Sequence, residues 1–172
     1  MRRIGMLLLT LLIFAAATAW TQVKPEQICS SLTASDLSAI GATGPGVPAE
    51  MSMSKDPKAE TMKMCSWRMP SGGIHVSAGK MPPGMTIDIL MAEVTKPYTK
   101  LKAQGWTEQK KDFSNMKCSL FTPPVAQHDS PTTTNCIAEA KGMIVTAATV
   151  SKVPLAIDKV KVLLDSAIAH LP

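Results

Sequence analysis

Four cysteines, at positions 29, 65, 118 and 136, all lie downstream of an apolar run from Ile4 to Ala17 that follows Arg2-Arg3 and ends in Ala17-Thr18-Ala19. A positive pair, an apolar stretch and small residues at the peptidase position make the pattern of a secretory signal. The stretch is short for a retained anchor, which takes about 20 apolar residues to cross a bilayer. The pattern predicts cleavage after Ala19, a mature domain of residues 20–172 and a secreted or periplasmic destination. In such an oxidising compartment the cysteines are expected to pair, and the fold has to bring them together. Trp20-Thr21-Gln22-Val23-Lys24 turns polar at once, and no cysteine near the cut offers a lipid acceptor. No stable membrane span is expected after processing.

Four cysteines allow three pairings. The favoured one is Cys29–Cys65 with Cys118–Cys136. The first bond ties a short N-terminal helix to the first strand, and the second closes a proline-rich loop between neighbouring strands. Loop-closure entropy makes each worth about 3–4 kcal/mol. A redox pair would want C-x-x-C, and a zinc site would want closely paired ligands; the chain has neither.

Residues 20–172 suit one domain. In Leu32-Thr33-Ala34-Ser35-Asp36-Leu37, Thr33 caps a short helix, Asp36 completes a capping box and the two leucines form a hydrophobic staple. Gly41 is its left-handed stop, and residues 41–60, rich in Gly, Pro, Lys and Asp, are expected to be a loop. Met62–Met69 alternates, Pro70-Ser71-Gly72-Gly73 turns and Ile74–Ala78 alternates again, which predicts a hairpin. Ile87, Leu90, Met91, Val94, Tyr98 and Leu101 recur at helical spacing between a Thr86 cap and Gly105, with Pro97 expected to kink or split the helix. Strands follow at Trp106–Gln109 and Met116–Phe121, then a proline-rich loop from Thr122 to about Pro131. A second hairpin pairs Cys136–Ala140 with Met143–Val150. The last helix runs from near Pro154 to His170, with Ile157, Val160, Leu164, Ala167 and Leu171 on one stripe. The expected fold is α+β: an antiparallel sheet of about five or six strands packed with three helices. Cys65–hairpin–helix and Cys136–hairpin–helix read as two copies of one unit.

Several function classes drop out. Arg2 and Arg3 contribute to the net charge of +5, and the lysines are scattered without aromatic interleaving, which argues against nucleic acid. His128-Asp129-Ser130 contains triad residue types, but consecutive side chains on a loop do not form the relay. Gly41, Gly44 and Gly46 lack the preceding strand and the lysine of a P-loop. No catalytic residue is assigned and no enzyme is expected. The 12 methionines are the compositional oddity, grouped as Met51/Met53, Met62/Met64 and Met81/Met85. Thioethers select Cu(I), so Met51, Met53, Met81 and Met85 with His75 form the metal set of an alternative reading, a Met-rich periplasmic Cu(I)-binding protein. In the main reading methionine fills the core and no cofactor is expected. The protein is then a non-catalytic binding domain whose partner is an envelope protein, a wall component or a small ligand. Recognition would use the loops 42–60 and 122–133.

Ile28-Cys29-Ser30-Ser31-Leu32-Thr33-Ala34-Ser35-Asp36-Leu37, then Gly41, then Cys65-Ser66-Trp67, resembles a group of exported bacterial domains of unknown function. These begin with a C-x-L-L-T-x-x-[DE]-[VL] run, carry C-x-W on a strand and are related to PsbP-like lipoproteins. The resemblance implies a bond between the first and second cysteines and a compact α+β sandwich. It carries over no activity and no catalytic residue, and this chain lacks the lipidated cysteine that many such domains have.

Overall fold

The structure is a computed structural model and describes residues 23–52 and 61–172. Cleavage at Ala19 and a ligand role for Met53 fall outside the described residues. Alternating side chains build seven antiparallel strands: β1 (Thr43–Ser52), β2 (Thr61–Met69), β3 (Gly72–Lys80), β4 (Thr107–Asp112), β5 (Met116–Thr122), β6 (Thr132–Ala140) and β7 (Met143–Ser151). They form one open sheet in the order β1-β2-β3-β7-β6-β5-β4. The helices are α1 (Pro25–Cys29), α2 (Ala34–Ala39), α3 (Ile87–Lys102) and α4 (Ile157–His170). The class is α+β, with seven strands and four helices where five or six and three were expected.

Both differences have a local cause. Residues 43–52, expected as loop, form the edge strand β1. Its alternation is hidden by Gly44, Pro45, Gly46 and Pro48, which an edge strand tolerates because one of its sides needs no ladder donor. A register shift between Thr43 and Val47 absorbs the irregularity. The N-terminal helical region is two short helices, and the second has the capping box. Thr33 Oγ1 accepts from the Asp36 amide at 3.2 Å, while the Asp36 carboxylate accepts from the Thr33 amide at 2.8 Å and from Ser166 Oγ of α4 at 2.8 Å. Burial pushes the Asp36 pKa up, but these hydrogen bonds outweigh it and hold the carboxyl below its usual value. Pro97 lies within α3 without splitting it.

Register pairs put Cys65, Val76, Ala147, Cys136 and Cys118 in one row across five strands, all on one face. That face carries the main core, in which Trp67, Ile74, Val76, Val145 and Ala147 pack with Ile28 of α1 and with Val160, Leu163, Leu164 and Ala167 of α4. Each large side chain buried there contributes about 1.5–3 kcal/mol. The Cys29–Cys65 bond fastens α1 to β2 with Cα atoms 5.1 Å apart. The Cys118–Cys136 bond joins residues directly opposite on β5 and β6, 4.1 Å apart. Two disulfides fit an oxidising setting, extracellular or periplasmic. No helix among the described residues is long and apolar enough to cross a membrane.

The opposite face is covered differently. Here α3 lies against β5 and β6, and a smaller core gathers Met62, Leu90, Met91, Ile137 and Ile144. Tyr98 stacks on Phe121 with ring centroids 4.4 Å apart. The two hairpins match closely: each pairs nine-residue strands across a two-residue turn, and they meet at Val76 opposite Ala147. The correspondence stops there. A two-fold relating antiparallel neighbours of one sheet would put the following helices on one face, whereas α3 and α4 lie on opposite faces.

Candidate functional site

Helix α3 makes its main contacts with β5 and β6, and the cluster that holds its Leu90 and Met91 extends to Met62 of β2; no helix among the described residues makes comparable contact with β1, β2 and β3 on this face. The side chains of this open half are set by strand register. One row runs Val47, Ser66, His75, Ala148, Asn135, Ser119 from the β1 edge to β5. Beside it run Ala49, Met64, Ser77, Thr146 and Ile137 on one flank, and Arg68, Gly73, Val150 and Thr133 on the other. Polar and small residues thus occupy positions that a helix-covered face would fill with apolar ones.

Two hydroxyl contacts organise the surface. Ser66 Oγ lies 2.7 Å from His75 Nδ1, and Ser77 Oγ lies 2.6 Å from Thr146 Oγ1. Burial pushes the His75 pKa below its usual value, so the ring is neutral at pH 7 and carries one N–H. Nδ1 shares the hydrogen bond with Ser66, and the ring's tautomer sets which of the two donates and which role is left to Nε2. Asn135 is 7% exposed, and its side-chain nitrogen has no hydrogen-bond partner among the described residues. A buried donor left unsatisfied costs about 1–3 kcal/mol. On the α3 side the row is sealed by Ser119, whose hydroxyl contacts Met91 Sδ at 3.7 Å.

Ser66 and His75 are within nucleophile–base reach, but Asn135 is two strands from His75 and orients nothing on it. Ser66 sits on β2, an interior strand paired on both sides, which commits the local backbone amides to the ladder. The surface offers neutral donors and acceptors interleaved with apolar contacts from Met64, Ala148 and Val150.

Of the proposed metal ligands, Met51, Met81 and Met85 stand around Met62, and His75 lies farther along the sheet. Met51 is exposed on β1, directly opposite Met62. Met81 and Met85 pack against the smaller core that contains Met62 and Met91. His75 pairs with Ser66, four residues along β2 from Met62, or about 13 Å of strand. Among the described residues no group of three or more His, Cys, Asp or Glu could hold a metal ion. The predicted recognition loops also change character: most of 42–60 that is described is β1, and 122–133 holds a 3-10 turn at Val125–Gln127, braced by Trp106 Nε1 donating to Gln127 at 3.2 Å. A separate apolar groove of about 310 Å³ lies between α2 and α4, lined by Ala39, Ile40, Val162 and Leu163 with Asp36, Asp158 and Lys159.

Ser66, Ser77, Asn135 and Thr146 were missed as site residues. Period-two alternation already separates Ser66 and Met64 from Cys65 and Trp67, but their significance needs the hairpin register and the position of α3. No protein-family model, no curated protein and no solved structure matches the chain.

Proposed function

We propose that this protein is an exported, non-catalytic binding domain of the bacterial envelope or medium, and that it recognises its partner through the open half of its sheet. The observation that carries this reading is the half-exposed row Val47–Ser66–His75–Ala148, which no helix among the described residues packs on as α3 packs on β5 and β6. The disulfides suit the compartment, and the amino-terminal apolar run supplies the route to it. The partner is an envelope protein, a wall component or a small ligand. The C-S-S-L-T and C-S-W runs support kinship with exported domains related to PsbP-like lipoproteins, and the matched hairpins support an origin by duplication of the hairpin.

Immobilised, oxidised protein is expected to retain a partner from envelope extract. Met64→Arg and Val47→Arg, both on the open face, should cut that retention at least tenfold, while Val153→Arg, on the β7–α4 connection, should leave it intact. Retention unchanged by the two open-face arginines would reject this surface.

A second reading, Cu(I) binding by thioethers, is favoured by one observation: Met51 faces Met62 across β1 and β2, next to the cluster holding Met81, Met85 and Met91. On that reading Met51→Leu with Met85→Leu weakens Cu(I) affinity at least tenfold in competition with a chromogenic chelator, and His75→Ala does not. Equal affinity in the methionine variant disposes of copper.

A further inference from the structure

We infer that Met81 and Met85 form an oxidation-sensitive latch under the first turns of α3, which a two-electron oxygen donor of the hypochlorous acid class opens by converting their thioethers to sulfoxides. The latch lies beside the proposed recognition surface and does not depend on what binds there.

Sulfur chemistry narrows the candidates. All four cysteines are tied in disulfides, so no thiol is left to sense an oxidant. Thioethers remain, and the fold sorts them by access. Met51 is 43% exposed on β1, and Met64, Met81 and Met85 are half-buried, whereas Met62, Met69, Met91, Met116 and Met143 are buried. Met81 and Met85 combine access with a structural task. They bracket the turn from β3 into α3, where the Met85 amide donates to the Pro82 carbonyl at 3.0 Å and Thr86 caps the helix. Together with Ile87 they pack against the smaller core of Met62, Leu90, Met91, Ile137 and Ile144.

In the reaction an S–O bond forms and the O–Cl bond breaks. The thioether sulfur loses two electrons and gains the oxygen atom, while chlorine leaves as chloride and the proton goes to water. The product is a polar side chain where the fold holds an apolar one. The smaller core is hydrocarbon and thioether, so a sulfoxide oxygen has to turn outward to find water. Turning withdraws Met81 and Met85 from the side chains under the first turns of α3. The far half of α3 keeps its own anchor in the Tyr98–Phe121 stack, and the main core with α4 lies on the opposite face. Opening is therefore local: it lifts the start of α3 and bares Ile137 and Ile144, both almost fully buried. Ile137 continues the row of Ala49, Met64, Ser77 and Thr146, so the bared surface extends the half-exposed face. Met51, exposed on β1, takes its oxygen in solvent and moves nothing.

The test is graded treatment of the purified, disulfide-bonded protein with hypochlorous acid. Peptide mass spectrometry reads sulfoxide at each methionine, and hydrogen–deuterium exchange reads the helices. Met51, Met64, Met81 and Met85 should oxidise at least fivefold faster than Met69, Met116 and Met143. Exchange over residues 87–91 should rise at least tenfold in step with oxidation of Met81 and Met85, while α4 keeps its protection. Met62 and Met91 should oxidise only after that opening. Met81→Leu with Met85→Leu keeps volume and apolar contact, and should leave α3 exchange unchanged at the same dose. Met51→Leu should respond as the native protein does. Methionine sulfoxide reductases for both epimers should restore protection. Equal oxidation at all sites, simultaneous loss of protection in α4, or opening that persists in the Met81/Met85 variant would overturn the inference. Should that variant not fold, the native protein decides alone: opening that tracks Met51 and not Met81 and Met85 rejects the latch.

Discussion

Replacing Cys29 and Cys65 together by alanine lowers stability by about 4 kcal/mol, and replacing Cys118 and Cys136 lowers it by about 3 kcal/mol. The difference begins with loop length, since the bonds span 36 and 18 residues. Loop-closure entropy alone gives about 3.8 and 3.2 kcal/mol for these spans. Native context then widens the gap. Helix α1 has five residues and α2 has six, too few to persist without tertiary support. Val23, Ile28 and Leu32 are buried in the main core and depend on this short segment staying docked. Once the tether to β2 is lost, they can peel away and expose Cys65 and Trp67. The second bond joins strands that the β5–β6 ladder already holds in register. Urea unfolding of both double variants, with a dye that reports exposed apolar surface, separates the two cases. The first variant is expected to bind dye before the main transition, and its Tm should fall by about 8–16 °C. A smaller loss for Cys29/Cys65 than for Cys118/Cys136, with no early dye binding, would show that the N-terminal helices dock without the bond.

What was readable in the chain follows from how local each signal is. The hairpins were legible because alternation in Met62–Met69 and Met143–Val150 is a property of neighbouring residues. The same holds for the Thr33/Asp36 capping box and for the stripe Ile157, Val160, Leu164, Ala167, Leu171, all of it buried. Strand β1 was not legible because its glycines and prolines imitate a loop. Gly46 is there for packing: a Cβ on it would lie 2.4 Å from Cys65 Sγ and 2.8 Å from Trp67 Nε1, two groups distant in sequence. Strand β4 was found only in part, since Lys110 and Lys111 protect a sheet edge and carry no apolar alternation.

The open face was beyond sequence reasoning for a different reason. The apolar stripe of α3 reads the same whichever face of the sheet it covers. Only the assembled fold shows that it crosses to the face opposite α4, and packs on β5 and β6 there while Ser66 and His75 stay half-exposed. His75 entered the copper reading as a histidine of the kind that can accompany methionine clusters. Its register partner is Ser66, which turns the same imidazole into part of a hydrogen-bonding surface. The proposed recognition surface therefore lies on the sheet and not in the loops.

The seam between the two hairpins makes the second large effect, and Gly72→Ala is the substitution that tests it. Strands β3 and β7 are the contact through which the hairpins become one sheet, with Gly72 opposite Ser151 at its end. A Cβ on Gly72 would sit 1.9 Å from the Val150 carbonyl oxygen and 2.8 Å from Ser151 Cα. Both obstacles are backbone, so no rotamer change relieves them, and the strands must part locally. Parting them strains the Ser71–Ser151 hydroxyl contact at 2.6 Å and the Lys152 amide bond to the Ser71 carbonyl at 3.0 Å. It also disturbs the row of Val150 on the half-exposed face of the sheet. The expected loss is about 3 kcal/mol, in the range of forced overpacking. Gly73 is the internal control, because its Cβ would meet only the Trp67 carbonyl oxygen at 3.3 Å, a tight contact that a few tenths of an ångström relieve. Gly73→Ala is therefore expected to cost about 1 kcal/mol or less, offset in part by the lower entropy of the unfolded chain. Denaturant midpoints of the two single variants, measured side by side, decide the matter. Equal midpoints would mean that β3 and β7 do not approach at Gly72 as closely as this seam requires.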